Sequence, residues 1–135
     1  MKKQLIISVL VLTCTVVATS NIAAAESFFS PGAPQFTRQM VSGKTMVSSG
    51  YANGSMTFNN NGTLTCTNYP AFVACKRWQV QQDGTLRREF TDSHTGKTVE
   101  VVATWKLLGK SANTLQVQQT SNNSDGATTV TVTIQ

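Results

Sequence analysis

The sequence predicts an all-β protein, an antiparallel up-and-down meander closed into a roughly eight-stranded soluble barrel. Three observations lead to this fold class. Short runs rich in Thr, Val and aromatic residues alternate apolar and polar positions, Asn-Gly or Asp-Gly pairs separate the runs, and no run has the periodicity of a useful amphipathic helix. Sequential hairpins of this kind tend to close on themselves, because closure removes exposed sheet edges.

The chain starts with a pattern typical of a secretory signal peptide. Two lysines precede the apolar run LIISVLVLTCTVVA, and the small residues of SNIAAA end at Ala25. The apolar run is shorter than the roughly 20 residues that a membrane-spanning helix needs. We therefore expect residues 1–25 to be a cleaved signal peptide and the protein to be periplasmic or secreted. A lipoprotein anchored at Cys14 is the minor alternative, since Thr13 is a poor match to the small residue expected before a lipidated cysteine.

The rest of the chain divides into a short arm and one domain. Residues 26–35 carry two prolines and a glycine without a periodic pattern, which predicts a flexible N-terminal arm. Residues 36–135 form the predicted barrel domain. Without the leader, nine basic residues remain against six acidic ones, a net charge of +3 that is ordinary for solubility. No basic stripe is interleaved with aromatic residues, so we expect no nucleic-acid partner.

The strands follow from the turns and the alternation, in chain order. A first strand is predicted over roughly residues 36–48, and turns are predicted at Asn53-Gly54, Asn61-Gly62, Asp83-Gly84, residues 95–97, Gly109-Lys110 and Asp125-Gly126. Between the turns, one face of each strand is apolar and is predicted to point inward: Met56, Phe58, Leu64, Cys66, Trp78, Val80, Leu86, Phe90, Val99, Val101, Ala103, Trp105, Leu107, Leu115, Val117, Val130, Val132 and Ile134.

The opposite face excludes a membrane-spanning barrel. Arg77, Glu100, Lys106 and rows of Gln and Thr occupy it, whereas a barrel in lipid needs an apolar outer face. The apolar face is therefore expected to be the interior. A closed eight-stranded barrel is just wide enough to be filled by side chains or to hold one small ligand.

The stretch CTNYPAFVAC contains the two cysteines that remain after the leader, Cys66 and Cys75. An even number in an exported chain predicts a disulfide, here joining the end of one strand to the start of the next. Tyr69 precedes a proline, which restricts its backbone and stiffens the loop. We expect Tyr69 and Phe72 to lie near a barrel mouth, as a lid or as an anchor for a partner. The alternative is that Phe72 fills the barrel end as part of the core.

Arg88 is a basic residue on the predicted inner face, in line with Leu86 and Phe90. An unpaired buried charge is costly, so Arg88 should be paired, lie near a barrel mouth or hold an anionic group of a ligand. A strand end or a bulge that exchanges Arg87 with Arg88 is the competing interpretation. Gln119 continues the face of Leu115 and Val117 and raises the same question.

Trp78 and Trp105 lie on the apolar faces of their strands. Most such tryptophans belong to the core. In a barrel of this size the core and the wall of a pocket can be the same residues, so both are also candidates for ligand contact.

No constellation of residues points to catalysis. His94, the only histidine, lies in a turn, where it is expected to be solvated, and the six carboxylates form neither an acid pair nor a metal-binding cluster. The cysteine spacing matches neither a zinc site nor a thioredoxin-type redox motif. We therefore expect no catalytic residues, no metal and no cofactor.

The runs GKTMV, MTFNNNGTLTC, CKRWQVQQDGTLRREF and ATWKLL resemble the small bacterial exported lipocalin-like (calycin) β-barrel proteins. The resemblance covers roughly residues 40–134 and is carried by turn residues and tryptophan placement. Gly43-Lys44-Thr45 stands where true lipocalins have Gly-x-Trp in the first strand. The resemblance implies binding of small apolar or amphipathic molecules, or inhibition of a partner enzyme.

The sequence therefore leaves two candidate functions. The first is an exported, non-enzymatic β-barrel binding protein for a small apolar or weakly anionic ligand, held by Trp78, Trp105 and Arg88, with Tyr69 and Phe72 at the mouth. The second is a protein-interaction module, such as an inhibitor of an extracellular or periplasmic enzyme or a component of a surface assembly. A hollow interior favours the first function and a filled one favours the second.

Overall fold

The computed structural model describes residues 32–135, and Ala33–Gln135 form one compact unit. Eight antiparallel strands form a single sheet that is nearly closed into a barrel, which confirms the predicted fold class. The elements are α1 (Arg38–Val41), β1 (Lys44–Ser48), β2 (Tyr51–Phe58), β3 (Leu64–Thr67), β4 (Val73–Val80), β5 (Leu86–Asp92), β6 (Val99–Ser111), β7 (Thr114–Ser121) and β8 (Thr128–Ile134).

Some predictions concern residues before this range. The signal peptide over residues 1–25, the lipidation of Cys14 and residues 26–31 of the N-terminal arm lie outside the described residues. Within residues 32–135, no helix is long and apolar enough to cross a membrane.

The barrel has its gap between two strands that are consecutive in the chain. The sheet order is β3-β2-β1-β8-β7-β6-β5-β4, so β1 and β8 pair and β3 and β4 form the two edges. An isolated bridge between Thr63 and Arg77 spans the gap. The predicted disulfide between Cys66 and Cys75 is present and spans it as well, with the two Cα atoms 5.7 Å apart. The disulfide thus ties together the two edges of the sheet.

The strand connections divide between the two ends of the barrel. The connections β1–β2, β3–β4, β5–β6 and β7–β8 lie at one end, which we call the cavity end. The connections β2–β3, β4–β5 and β6–β7 lie at the other, which we call the helix end because α1 packs there. Arg38 donates a hydrogen bond to the carbonyl of Asn60, and the N–H of Phe36 donates to the carbonyl of Gly84. The segment around α1 therefore contacts two hairpins at the helix end.

The predicted inner face forms the core. Met46, Met56, Phe58, Leu86 and Trp105 are fully or almost fully buried, and the apolar residues of β6, β7 and β8 join them. One residue of the predicted inward stripe differs. Val99 is exposed, because it is the first residue of β6 and pairs with Asp92 at the very end of β5, beyond the part of the sheet that faces the core.

The first strand is shorter than predicted. Residues 36–43 do not continue β1, because the hydroxyl of Thr37 accepts a hydrogen bond from the N–H of Met40 and starts a single helical turn. Gly43, with φ of +78°, then turns the chain into β1. The turn places Phe36 and Val41 in the core.

Two predicted turns are wrong. Asn53-Gly54 lies inside β2, and the chain reverses instead near Ser49 and Gly50. Gly109-Lys110 lies inside β6, where the register with β7 shifts between Leu107 and Gly109. In both places the glycine serves a strand and not a turn, as glycine does at bulges and at close approaches of other groups.

Candidate functional site

The candidate site is a cavity of about 320 Å³ at the cavity end of the barrel. This volume is at the lower end of the range of about 300–1,000 Å³ that is usual for ligand pockets. Met56, Val73, Phe90, Val101 and Ala103 give the cavity an apolar wall, and Ser121, Asn123 and Ser124 add polar groups from the end of β7 and the loop after it. The cavity therefore suits a small and largely apolar molecule.

Arg88 lies inside this cavity, as the alternation along β5 predicts. Arg88 is only 3% exposed, and its guanidinium carbon lies 3.8 Å from the centroid of the Trp105 ring. One terminal nitrogen donates to Met56 Sδ over 3.6 Å, and the other donates to Gln119 Oε1 over 3.3 Å. Arg88 Nε has no hydrogen-bond partner among the described residues. The competing interpretation, a bulge that would exchange Arg87 with Arg88, is wrong. Both residues pair in regular register with β4 and β6, and the nearby register shift lies in β4, between Cys75 and Arg77.

The charge of Arg88 has no carboxylate partner within residues 32–135. Asp92 also lines the cavity, but it is four residues further along the same strand, a distance of about 13 Å at the usual rise per residue. Burial lowers the pKa of Arg88 to about 9. The group is therefore still a cation at neutral pH.

Gln119 and Trp105 support Arg88 from below. Gln119 of β7 and Trp105 of β6 are direct cross-strand partners. The indole Nε1 of Trp105 donates to Gln119 Oε1 over 2.7 Å. Gln119 lines the cavity, whereas Trp105 is fully buried beneath it. The sequence indicates Gln119 only as a polar residue on an inner face. Its contact with Arg88 depends on the registers of β5 and β7 with β6, the strand that lies between them.

Tyr69 lies at the cavity, as predicted for a residue near a barrel mouth. Its ring contacts that of Tyr51, with centroids 4.5 Å apart, and the hydroxyl of Tyr51 donates to the carbonyl of Asn68. Burial raises the pKa of Tyr69, and the charge of Arg88 acts in the opposite direction. The hydroxyl of Tyr69 therefore stays protonated at neutral pH. Tyr51 is a contact that the sequence did not indicate.

Tyr69 can occupy this position because Gly54 has no side chain. A Cβ on Gly54 would lie 2.6 Å from the Tyr69 ring and 2.8 Å from the carbonyl oxygen of Thr67. Gly54, which the sequence predicts in a turn, thus makes room for the loop between the two cysteines.

Phe72 does not line the cavity. Its side chain is exposed at 42%, so it does not fill the barrel end as core. Its ring lies beside that of His94, with centroids 5.6 Å apart. His94 Nδ1 lies 2.7 Å from a carboxylate oxygen of Asp92, and hydrogen bonds from the backbone N–H and the ring of His94 hold the pKa of Asp92 below its usual value. Of these three residues only Asp92 lines the cavity.

Trp78 lies at the helix end, away from the cavity. Its indole Nε1 donates to the carbonyl of Asn59 over 2.9 Å, and the guanidinium carbon of Arg38 lies 4.8 Å from its ring centroid. The structure thus brings Arg88, Trp105 and Tyr69 together and leaves Trp78 and Phe72 outside this group. In residues 32–135, no three His, Cys, Asp or Glu side chains are grouped so that they could hold a metal ion.

Comparisons with protein-family models, curated proteins and solved structures gave no match to this chain.

Proposed function

We propose that this protein is a non-enzymatic, lipocalin-like β-barrel binding protein that holds a small apolar or weakly anionic molecule in the cavity above Arg88. The observation that carries the proposal is a buried guanidinium, without an ionic partner in the described chain, at the base of a cavity with apolar walls. Burying a charge without a partner costs several kcal/mol. A ligand that supplies an acceptor offsets this cost on binding.

The disulfide supports an extracytoplasmic place of action. Disulfides persist in oxidising compartments and are rare elsewhere, and the bond between Cys66 and Cys75 joins both edges of the barrel. We propose export by a cleaved signal peptide over residues 1–25 to the periplasm or the medium, with lipidation of Cys14 as the alternative. Intact mass of the protein from its own host distinguishes cleavage after Ala25 from a lipidated Cys14.

Binding is tested by filling the cavity. Ala103 lines it and is buried, so Ala103→Leu and Ala103→Phe place side chains where the ligand would lie. Titration calorimetry with octanoate and with octanol should show binding to the wild type and a loss of at least tenfold in the variants. Thr104→Phe, on the outer face of the same strand, is the matched control and should bind as the wild type does. Far-UV circular dichroism checks that each variant is folded.

Two results would count against a binding protein. One is that neither probe binds the wild type and that native mass spectrometry of protein from its host shows no bound molecule. The other is that probes bind the cavity-filled variants as tightly as the wild type, since the cavity would then be irrelevant to their binding.

The exposure of Phe72 favours the second function, a protein-interaction module such as an enzyme inhibitor or a surface-assembly component. Phe72 and Val99 are large apolar residues exposed at the cavity end, and aromatic side chains are enriched at interfaces. Phe72→Ala separates the two functions. It should leave the binding of octanoate unchanged, whereas an inhibitor or assembly component would lose its protein partner.

A further inference from the structure

The base of the cavity presents hydrogen-bond donors. The side-chain oxygen of Gln119 is not free to accept a hydrogen bond from a ligand. Its Oε1 accepts from Trp105 Nε1 and from Arg88 Nη2, which uses both lone pairs of the oxygen. Indole and guanidinium groups can only donate, so the oxygen of the Gln119 amide must face them. Its NH₂ group is consequently left to donate elsewhere, and Gln119 borders the cavity.

Arg88 adds a second donor with no acceptor. Its Nε–H is buried and has no hydrogen-bond partner in the part of the chain that the structure describes. Arg88 Nη1 donates to the thioether of Met56, which is a weak acceptor. A buried N–H without a partner is unfavourable, and a charged one more so.

We infer that Arg88 and Gln119 form an oxyanion site for the carboxylate of a small amphiphile, and that Trp105 is the positioning residue that turns the Gln119 amide toward this carboxylate. The inference rests on the proposed function and names the chemical class of its ligand. One cation and one neutral amide match a single negative charge, and Arg forms its strongest hydrogen bonds with carboxylates and phosphates. Tyr69, protonated at neutral pH, borders the same cavity.

The wall of the cavity indicates how the ligand is oriented. Phe90 and Val101 lie between Arg88 and the rim, on paired positions of β5 and β6. Asp92 is at the rim, about 13 Å from Arg88 along the strand. A carboxylate at the rim would meet the like charge of Asp92, whereas at the base it meets Arg88. The head group therefore lies inward and the apolar body extends toward the mouth.

The test uses Gln119→Glu, which keeps the size of the side chain. A glutamate still offers an acceptor oxygen to the indole of Trp105, but it supplies Arg88 with a carboxylate from the protein and removes the NH₂ donor. Gln118→Glu adds the same charge to the same strand on the outer face, opposite Lys106, and is the matched control. Arg88→Gln is a second, independent variant in case Gln119→Glu does not fold.

Titration calorimetry with octanoate and octanol measures the preference for a charged head. We expect octanoate to bind the wild type and Gln118→Glu at least tenfold more tightly than octanol. In Gln119→Glu and Arg88→Gln the affinity for octanoate should fall at least tenfold while that for octanol stays within about twofold. In ¹⁵N-labelled wild type, the Nε–H signal of Arg88 should shift on addition of octanoate and stay in place with octanol.

The possible failures are distinguishable. Equal affinity of the wild type for octanoate and octanol, or unchanged octanoate binding in Gln119→Glu, overturns the oxyanion site and leaves the binding function standing. Binding of neither probe to any of the proteins overturns the proposed function itself, and the oxyanion site with it.

Discussion

The guanidinium of Arg88 lies over the indole ring of Trp105, with Arg88 Cζ 3.8 Å from the ring centroid. A desolvated cation–π contact of this kind contributes about 2 kcal/mol. Burying a charge without an ionic partner costs several kcal/mol, so the contact does not offset the burial. Arg88 is therefore expected to reduce the stability of the ligand-free barrel.

Arg88→Met tests this balance. Methionine keeps an unbranched chain against Trp105 and removes the charge, so we expect the free energy of unfolding to rise by about 1–3 kcal/mol, as when buried charges are replaced by apolar groups. Urea denaturation of the ligand-free protein measures it. Arg87→Met is the control on the outer face, where Arg87 pairs with Glu89, and should lose less than about 1 kcal/mol. A less stable Arg88→Met variant would show that the guanidinium contributes net stability.

The disulfide is expected to stabilise the barrel without determining its fold. The two cysteines are nine residues apart, and closing so short a loop contributes roughly 2–3 kcal/mol in the chain-entropy model. The double variant Cys66→Ser, Cys75→Ser should lose about this much in urea denaturation and keep the far-UV circular dichroism spectrum of the wild type. Hydrogen exchange should become faster mainly in β3 and β4, the edges that the bond joins. In the untreated protein, the peptides that contain Cys66 and Cys75 should be found joined by mass analysis, and free thiols at both positions would refute the bond.

Gly54→Ala should displace the loop between the cysteines. The new Cβ would overlap the ring of Tyr69 and the carbonyl of Thr67, and overpacking of this kind costs about 1–3 kcal/mol. Gly109→Ala is the matched control in another strand, because a Cβ there meets no atom within 4 Å. Its stability should be unchanged or slightly raised. Thermal unfolding of both variants measures the difference, and equal transition temperatures would mean that Tyr69 has room to move aside.

Glu89 provides a pH-dependent contribution to stability. It accepts hydrogen bonds from Arg77 and Arg87. These bonds hold the pKa of Glu89 below the usual 4.5, and the bond from Arg77 has the larger effect. A carboxyl group with a lowered folded-state pKa stabilises the protein above pH 4.5 and loses this effect as the pH falls through the folded-state value.

Glu89→Gln should therefore be less stable than the wild type at pH 7, by less than about 1 kcal/mol because both arginines are partly exposed. The difference should disappear as the pH is lowered below 4.5. Unfolding curves at several pH values measure it. Glu100→Gln is the control, since Glu100 pairs with Lys76 in an exposed position. A difference for Glu89→Gln that persists in acid would assign the effect to packing instead of charge.

The alternation of residues along each strand predicted which side chains are inside. Trp78, Arg88, Trp105 and Gln119 all lie on the predicted inner faces, and they are buried or half-buried. The same alternation carried no information about depth along the barrel. Trp78 and Trp105 are equivalent by pattern, yet the first lies beneath Arg38 at the helix end and the second beneath Arg88, because depth is set by the register between strands.

The turn residues were informative only where strand pairing agreed with them. Asn61-Gly62 and Asp83-Gly84 lie at turns with positive φ at the glycine, whereas Asn53-Gly54 lies within β2. The pairs that lie at turns and the pair that lies within a strand have the same kind of sequence. Gly54 lies between Tyr51, which pairs with Ser48 of β1, and Ser55, which pairs with Thr67 of β3. The pairing with β3 is a long-range property.

By itself the sequence determined the all-β class, the inner and outer faces of the strands and the pairing of Cys66 with Cys75, because each depends on local alternation or on the number of cysteines available. Tertiary structure alone decided that the gap of the barrel lies between β3 and β4, that α1 packs at one end, and that Gln119, Trp105 and Arg88 meet at the base of a cavity at the other. Those contacts join three strands, and they exist only once the register of the whole sheet is set.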